Sequence, residues 1–359
     1  MNTNISTDTK KDLLSLLPHE LEELVLSLGE PKYRAKQLFA PMHKGIAPAQ
    51  ISNVGKALIS KLEACAAYSL PTVRKKLVSA LDGTVKYLFG LSDGNSVESV
   101  VMRYKHGNTI CISSQVGCRM GCAFCASTIG GKVRDLLPSE MLGQIIAAQK
   151  DMGERISNVV MMGIGEPLDN YDNVIRFLHL VNAEDGLNIG YRHISLSTCG
   201  LVNRIRDLME EDLPITLSIS LHAPDDETRS AIMPINNRYG VDELLNACRD
   251  YYARTGRRIS FEYTLIAGKN DSTENAQKLA RVLNSHLRTR SETMPIHVNL
   301  IPVNEVAETG FRRSAREAVQ AFAKTLESRG IRATVRRKLG SDIDASCGQL
   351  RRAAMTNQT

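Results

Sequence analysis

Two hydrophobic rhythms divide this chain. Through residues 9–68 apolar positions recur every three or four residues: Leu13, Leu14, Leu16 and Leu17 ahead of Pro18, then Leu21, Leu24, Val25 and Leu28 before Gly29. That spacing gathers them on one face of a helix. It continues through 33–44 and 51–67 and predicts a small helical unit over residues 1–70, with a break at Pro41. From 73 to 103 the rhythm becomes an alternation around Asp82-Gly83 and Asp93-Gly94. Antiparallel strands are predicted near 73–80, 84–91 and 97–103, in an extension spanning 71–104. Beyond Asn108 the two rhythms take turns. Strands are predicted at 109–114, 158–162, 193–197, 216–220, 260–265 and 297–301, and helices at 138–150, 171–182, 201–210, 241–254, 274–286 and 314–329. Six βα repeats imply an α/β fold with a parallel sheet, two units short of a closed eight-unit barrel. The expectation is an open, partial (β/α)6 barrel over 105–350 and a tail at 351–359, with a doubly wound sheet as the alternative.

Composition adds limits rather than direction. A chain of 359 residues, 43% apolar, accommodates one large domain and a smaller one. No apolar run approaches the roughly 18 residues a membrane helix needs, so no membrane association is expected. The polar opening, Met1 to Asp8, lacks a secretory pattern, and eight cysteines without one imply a reducing, cytoplasmic setting. A monomer is expected. The net charge of +6 is modest, but the cations cluster at Lys32, Arg34, Lys36, His43 and Lys44, at Arg74-Lys75-Lys76, and at Arg332, Arg336, Arg337 and Lys338. These are candidates for phosphate contact with a nucleic acid, weighed against a merely solvated cationic face. With no Trp in the chain, a stacked base would rest on Tyr, Phe or Arg.

The chemistry concentrates in Cys118, Cys122 and Cys125, spaced C-x3-C-x2-C beside Gly117 and Gly121. Thiolates hold iron–sulfur clusters, and three of them leave one iron of a [4Fe–4S] cube open to a small molecule. Zinc prefers paired C-x2-C units or Cys/His sets, and none follows. A glycine-rich turn, Gly163-Ile-Gly165-Glu166-Pro167, closes the second predicted strand, and Glu166 suits an ammonium group; the dinucleotide fingerprint is incomplete. Ser197, Ser220, Leu221, His222 and Asn304 stand at later strand ends, where hydroxyl, imidazole and amide groups suit a polar ligand.

The cysteine loop, with Phe124 before its last cysteine, resembles the radical S-adenosylmethionine (radical SAM) superfamily. The wider string from Cys111 to Cys118 resembles, more narrowly, the RNA adenine-C2 methyltransferases of the RlmN type, and the likeness runs from about Tyr33 to Leu350. The resemblance implies one [4Fe–4S] cluster on Cys118, Cys122 and Cys125, and S-adenosylmethionine held by Gly165, Glu166, Ser197, Ser220, Leu221, His222 and Asn304. It implies a helix-hairpin-helix-like N-terminal domain that binds RNA. Asp342 to Leu350 resembles the family segment whose cysteine, here Cys347, carries a methyl group. Two S-adenosylmethionine molecules serve each turnover: one methylates Cys347, the other yields a 5′-deoxyadenosyl radical that activates that methyl for addition to carbon 2. Glu98 would take the carbon-2 proton, and Cys111 would attack the sulfur of Cys347, leaving a transient disulfide. The implied partners are 23S rRNA, tRNA and an electron donor such as flavodoxin or ferredoxin. Cys65, Cys199 and Cys248 match no family role and read as packing residues. The sister family acting on carbon 8 is the nearest rival, disfavoured by Gly165-Glu166-Pro167 and by Gln115-Val116-Gly117. A non-catalytic, metal-stabilised RNA-binding module is the rival from another class.

Overall fold

The computed structural model describes residues 10–288, 293–306, 308–346 and 349. The predicted helical unit forms α1 (Pro18–Ser27), α2 (Tyr33–Met42) and α3 (Lys56–Cys65). Pro18 opens α1, where a missing N–H costs nothing, and Glu20 accepts the Leu17 amide at 2.8 Å. Pro41 lies in the last turn of α2, which runs only one residue past it.

One ten-stranded sheet carries the rest of the fold. Three antiparallel strands, β1 (Thr72–Val78), β2 (Val85–Gly90) and β3 (Ser96–Tyr104), lead into β4 (Gly107–Cys111). Then follow, all parallel, β5 (Ile156–Met161), β6 (Ile194–Thr198), β7 (Thr216–Ser220), β8 (Ile259–Leu265), β9 (His297–Pro302) and β10 (Arg332–Val335). The connecting helices are α4 (Pro138–Met152), α5 (Tyr171–Asn182), α6 (Val202–Glu210), α7 (Asp226–Ile232), α8 (Val241–Thr255), α9 (Thr273–Leu287) and α10 (Arg316–Ser328). Spatial order follows chain order from β1 to β10 without a reversal. A doubly wound sheet reverses at a switch point, so that alternative is excluded. The fold is the open, partial barrel.

Three expectations need correction. The first parallel strand is Gly107–Cys111, not 109–114, so Cys111 ends the strand instead of starting it. A seventh parallel strand, β10, extends the sheet; its four residues are mostly exposed, and the alternation of Ala333 and Val335 with Arg332 and Thr334 is too brief to mark a strand. The short helix α7, Asp-Glu-Thr-Arg-Ser-Ala-Ile, is too brief and too polar to show a period.

Alternation within the strands builds the interior. All seven residues of β8 are buried, yet Ser260, Glu262 and Thr264 alternate with Ile259, Phe261, Tyr263 and Leu265. The apolar set joins a core shared with the helices. The polar set meets Ser218 of β7 and Asn299 of β9 in the lumen. The N-terminal helices join the same apolar core through Leu21, Leu38 and Leu62, and Ser139 at the start of α4 donates its amide to Ser15 Oγ at 3.1 Å. Among the described residues no helix is long and apolar enough to cross a membrane.

Candidate active site at the mouth of the barrel

The cysteine loop follows β4, and its shape is dictated by glycine. Gly117 has φ +77, and a Cβ there would stand 1.8 Å from the carbonyl oxygen of Gly131. Only glycine lets the two arms of the ribbon Gln115–Gly117 and Lys132–Asp135 close this tightly. Cys118 then donates its amide to that same Gly131 oxygen at 3.1 Å, and Ala123 donates to Ile232 at 2.9 Å. The three cysteines line an open cleft at the C-terminal ends of the parallel strands.

Gly165, Glu166, Ser197, Ser220, His222 and Asn304 line the same cleft, as expected of the cofactor set. Leu221 does not; its side chain is 1% exposed in the core, and its amide goes to the Glu262 carbonyl. Gly165 has φ +108 and leaves no room for a Cβ beside Gln115. Glu166 is held by the amides of Leu168 (3.1 Å) and Cys199 (2.8 Å), while its own amide goes to Gln115 Oε1. Burial raises its pKa, against those hydrogen bonds. His222 has φ +58, accepts the Thr264 amide on Nδ1 at 2.9 Å and meets Phe124 edge-on. That bond leaves Nε2 as the donor, and burial pushes the imidazole down to about 3, so the ring is neutral at pH 7.

Sequence reasoning missed Glu262, Asn299, Arg229 and Asn270 here, and placed Arg336 only among the candidates for phosphate contact. Glu262 and Arg336 line the cleft; Asn299 donates to Glu262 Oε2 at 2.7 Å, and burial raises the Glu262 pKa while the Arg336 charge opposes it. Arg229, fully buried, donates to the carbonyls of Cys199, Ser220 and Leu221. Asn270 spans His222 and Thr264, donating to both carbonyls at 2.7 Å. Polar residues at alternate positions of buried strands were the signal for Glu262 and Asn299. Cys199, read as packing, lines the cleft and positions Glu166, whereas Cys248 is fully buried and Cys65 packs on the core.

The donor set fits an iron–sulfur cluster. Burial pushes the Cys118 thiol up to about 12 and raises that of Cys122, and in each case neighbouring thiols and Glu166 add to the penalty on ionisation. A thiolate set under that penalty needs a positive partner. Among the described residues no group of three His, Cys, Asp or Glu side chains is gathered to hold a metal ion; thiols on three corners of a cube stand further apart than thiols on one ion.

Comparison with known proteins agrees. The radical SAM superfamily profile matches residues 112–280. A Clostridium botulinum protein named probable dual-specificity RNA methyltransferase RlmN is 53% identical over 348 residues, 96% of this chain and 98% of that one. The Clostridium novyi protein of the same name is 51% identical over 97% of this chain and 99% of its own. A radical SAM methyltransferase from Sphaerobacter thermophilus superposes with a TM-score of 0.88 at 41% identity, covering 95% of this chain and 99% of that structure. The chain belongs to the RlmN family.

Of the other residues expected from the RlmN resemblance, Cys111 and Glu98 do not line this cleft. Cys111 sits in a small apolar cluster with Val100, Met102, Ile164 and Ala345, and Leu339 and Ile343 pack against it. Cys347 lies outside the described residues. Glu98 of β3 is buried and paired with Lys86 Nζ at 3.0 Å. Of the cations, Lys32, Lys36 and Lys76 are engaged by Glu22, Asp185 and Asp151, while Lys44 and Lys75 are exposed. His43 is a correction: it is 1% exposed, stacked on Phe39 at 4.1 Å, and offers no charge to a phosphate.

Proposed function

We propose that this chain methylates carbon 2 of adenine in RNA, on the peptidyl-transferase adenosine of 23S rRNA and the adenosine 3′ of the tRNA anticodon, through an S-methylcysteine at Cys347. The observation that carries this reading is the shared cluster of Cys111 and Ala345. It gathers Ala345, two residues before Cys347, into the same cluster as the thiol expected to resolve it. Cys118, Cys122 and Cys125 would hold one [4Fe–4S] cluster, with Gly165, Glu166, Ser197, Ser220, His222 and Asn304 around S-adenosylmethionine. When bound, these supply the methyl group and the one-electron chemistry that an electron-poor C–H carbon requires.

The chain's own residues divide the rest. Cys347 carries the methyl group to the base, and Glu98 accepts the carbon-2 proton. Cys111 attacks the sulfur of Cys347, forming a disulfide and releasing the product; such exchange needs a thiolate within reach of the sulfur. The helices α1–α3, residues 1–70, assist RNA binding. The enzyme works as a cytoplasmic monomer, with electrons from a flavodoxin- or ferredoxin-class donor.

Nucleoside mass analysis after reaction with tRNA and 23S rRNA fragments tests the reading. The expected product is 2-methyladenosine, and 8-methyladenosine as the main product would assign the chain to the rival chemistry. Cys347→Ala should keep its iron and lose methyl transfer, whereas Cys111→Ala should accumulate enzyme joined covalently to RNA. Normal turnover by Cys111→Ala would remove that residue from the mechanism.

A further inference from the structure

A second, open pocket adjoins the cofactor cleft and shares Ile301, Asn304 and Arg336 with it. Its walls include Tyr104, Arg313, Arg336, Arg337, Lys338 and Ser346, and no Asp or Glu lines it among the described residues. We propose that this pocket is a phosphodiester subsite that grips the RNA backbone beside the adenosine being methylated. The proposal rests on the RNA reading above and adds to it the residues that hold the strand.

Arg313, Arg337 and Lys338 stand around one concavity with no carboxylate in its described wall and repel one another unless an anion is present, while Arg336 faces Glu262 of the cofactor cleft. Arg313, Arg337 and Lys338 are exposed, so their heads are open to a ligand rather than locked in the core. Glu305 accepts the backbone amide of Arg313 at 3.4 Å but is not part of the wall. The groove behind the cysteine loop differs. Its Arg119 and Arg204 share that groove with Asp169 and Asp207 and are paired with them, so most of its charge is already answered, and its third cation, Arg238, lies over the Tyr239 ring.

Position selects a phosphodiester over a free anion. Met102 and Ala345 line the pocket and also belong to the apolar cluster around Cys111. A backbone phosphate seated on Arg337 and Lys338 therefore places its own base toward Cys111 on one side and the cofactor cleft on the other. Arginine suits this task because its planar fork matches phosphate oxygens.

The test uses the full-length, cluster-loaded chain and fluorescein-labelled tRNA. Arg337→Ala and Lys338→Ala should each weaken binding about tenfold at low salt and flatten the slope of log Kd against log salt by about 0.7. Arg337→Lys should restore the slope, because a point charge still neutralises the phosphate. The KM for tRNA should rise in the alanine variants while kcat at saturating tRNA changes little. Iron content shows whether each variant has folded. Wild-type affinity and slope in both alanine variants, with the unaltered chain still methylating the tRNA, would overturn the subsite and leave the catalytic reading standing. An unaltered chain that binds no tRNA would overturn both.

Discussion

The ring of Phe124 stands edge-on to the imidazole of His222, with 5.0 Å between centroids and 83° between planes. One residue belongs to the cysteine loop and the other follows the end of β7, so this contact fastens that loop to the far wall of the cleft. Edge-to-face pairs contribute about 1 kcal/mol beyond area burial. Phe124→Ala should therefore lower retained iron per chain after gel filtration. His222→Ala removes the acceptor for the Thr264 amide and the Nε2 donor. It should weaken S-adenosylmethionine binding roughly tenfold by calorimetry, the loss of about one charged-ligand hydrogen bond. Equal loss of iron in both variants would show that the two residues do not divide the work this way.

Gly117 gives a sharper test of the loop. A methyl group there would meet the Gly131 oxygen at 1.8 Å on a backbone with positive φ, and that neighbour is main chain. Gly117→Ala should spread the ribbon and prevent cluster reconstitution, with far-UV circular dichroism close to wild type. Gly130→Ala is the control, because a methyl group added there would find nothing within 4 Å. Iron–sulfur absorbance in the Gly117 variant equal to the control would refute this account of the loop.

The parts of this fold visible in the sequence are those written in apolar periodicity. β5 to β9 and the long helices announce themselves because each must bury one face. β10 was hidden, as a four-residue, mostly exposed edge strand with little to bury. The cysteines were legible because their spacing is their chemistry, and the glycines around them because the loop requires them. Asn270 and Arg229 were not, since a lone polar residue in a turn or short helix has meaning only once its partners are folded around it, and Glu262 was written only in the alternation of its strand. His43 shows the opposite failure: its position among cations implied exposure, but the stack on Phe39 and the close approach of Gly186 put it in the core.

Arg229 ties together three strand-end carbonyls and also reaches Asn236 Oδ1 at 3.0 Å. Leaving buried acceptors without donors costs about 1–3 kcal/mol each. Arg229→Met should lower unfolding stability by about 3–5 kcal/mol in urea, and S-adenosylmethionine binding should fall with it, because the Cys199 and Ser220 ends of the cleft would relax. Arg229→Lys should not rescue, since one ammonium cannot serve carbonyls on separate strands. A change under about 1 kcal/mol in Arg229→Met, within the range of surface substitutions, would show that these carbonyls find other donors.

His43 makes a prediction about acid. Burial pushes its pKa down from 6.5 to about 4, and neither ring nitrogen has a hydrogen-bond partner among the described residues. Between those two values the unfolded chain binds a proton that the native chain does not, so stability rises with pH across that window and falls on acidification. From pH 7 to pH 5 this one residue should cost about 2 kcal/mol, at roughly 1.4 kcal/mol per pH unit below 6.5. His43→Leu fills the same space without a titrating group. Its urea unfolding free energy should match or exceed that of the unaltered chain at pH 7, and should fall less by about that amount at pH 5. The same loss between pH 7 and pH 5 in both proteins would mean that His43 is protonated in the native chain too, and that the stack on Phe39 is open to water.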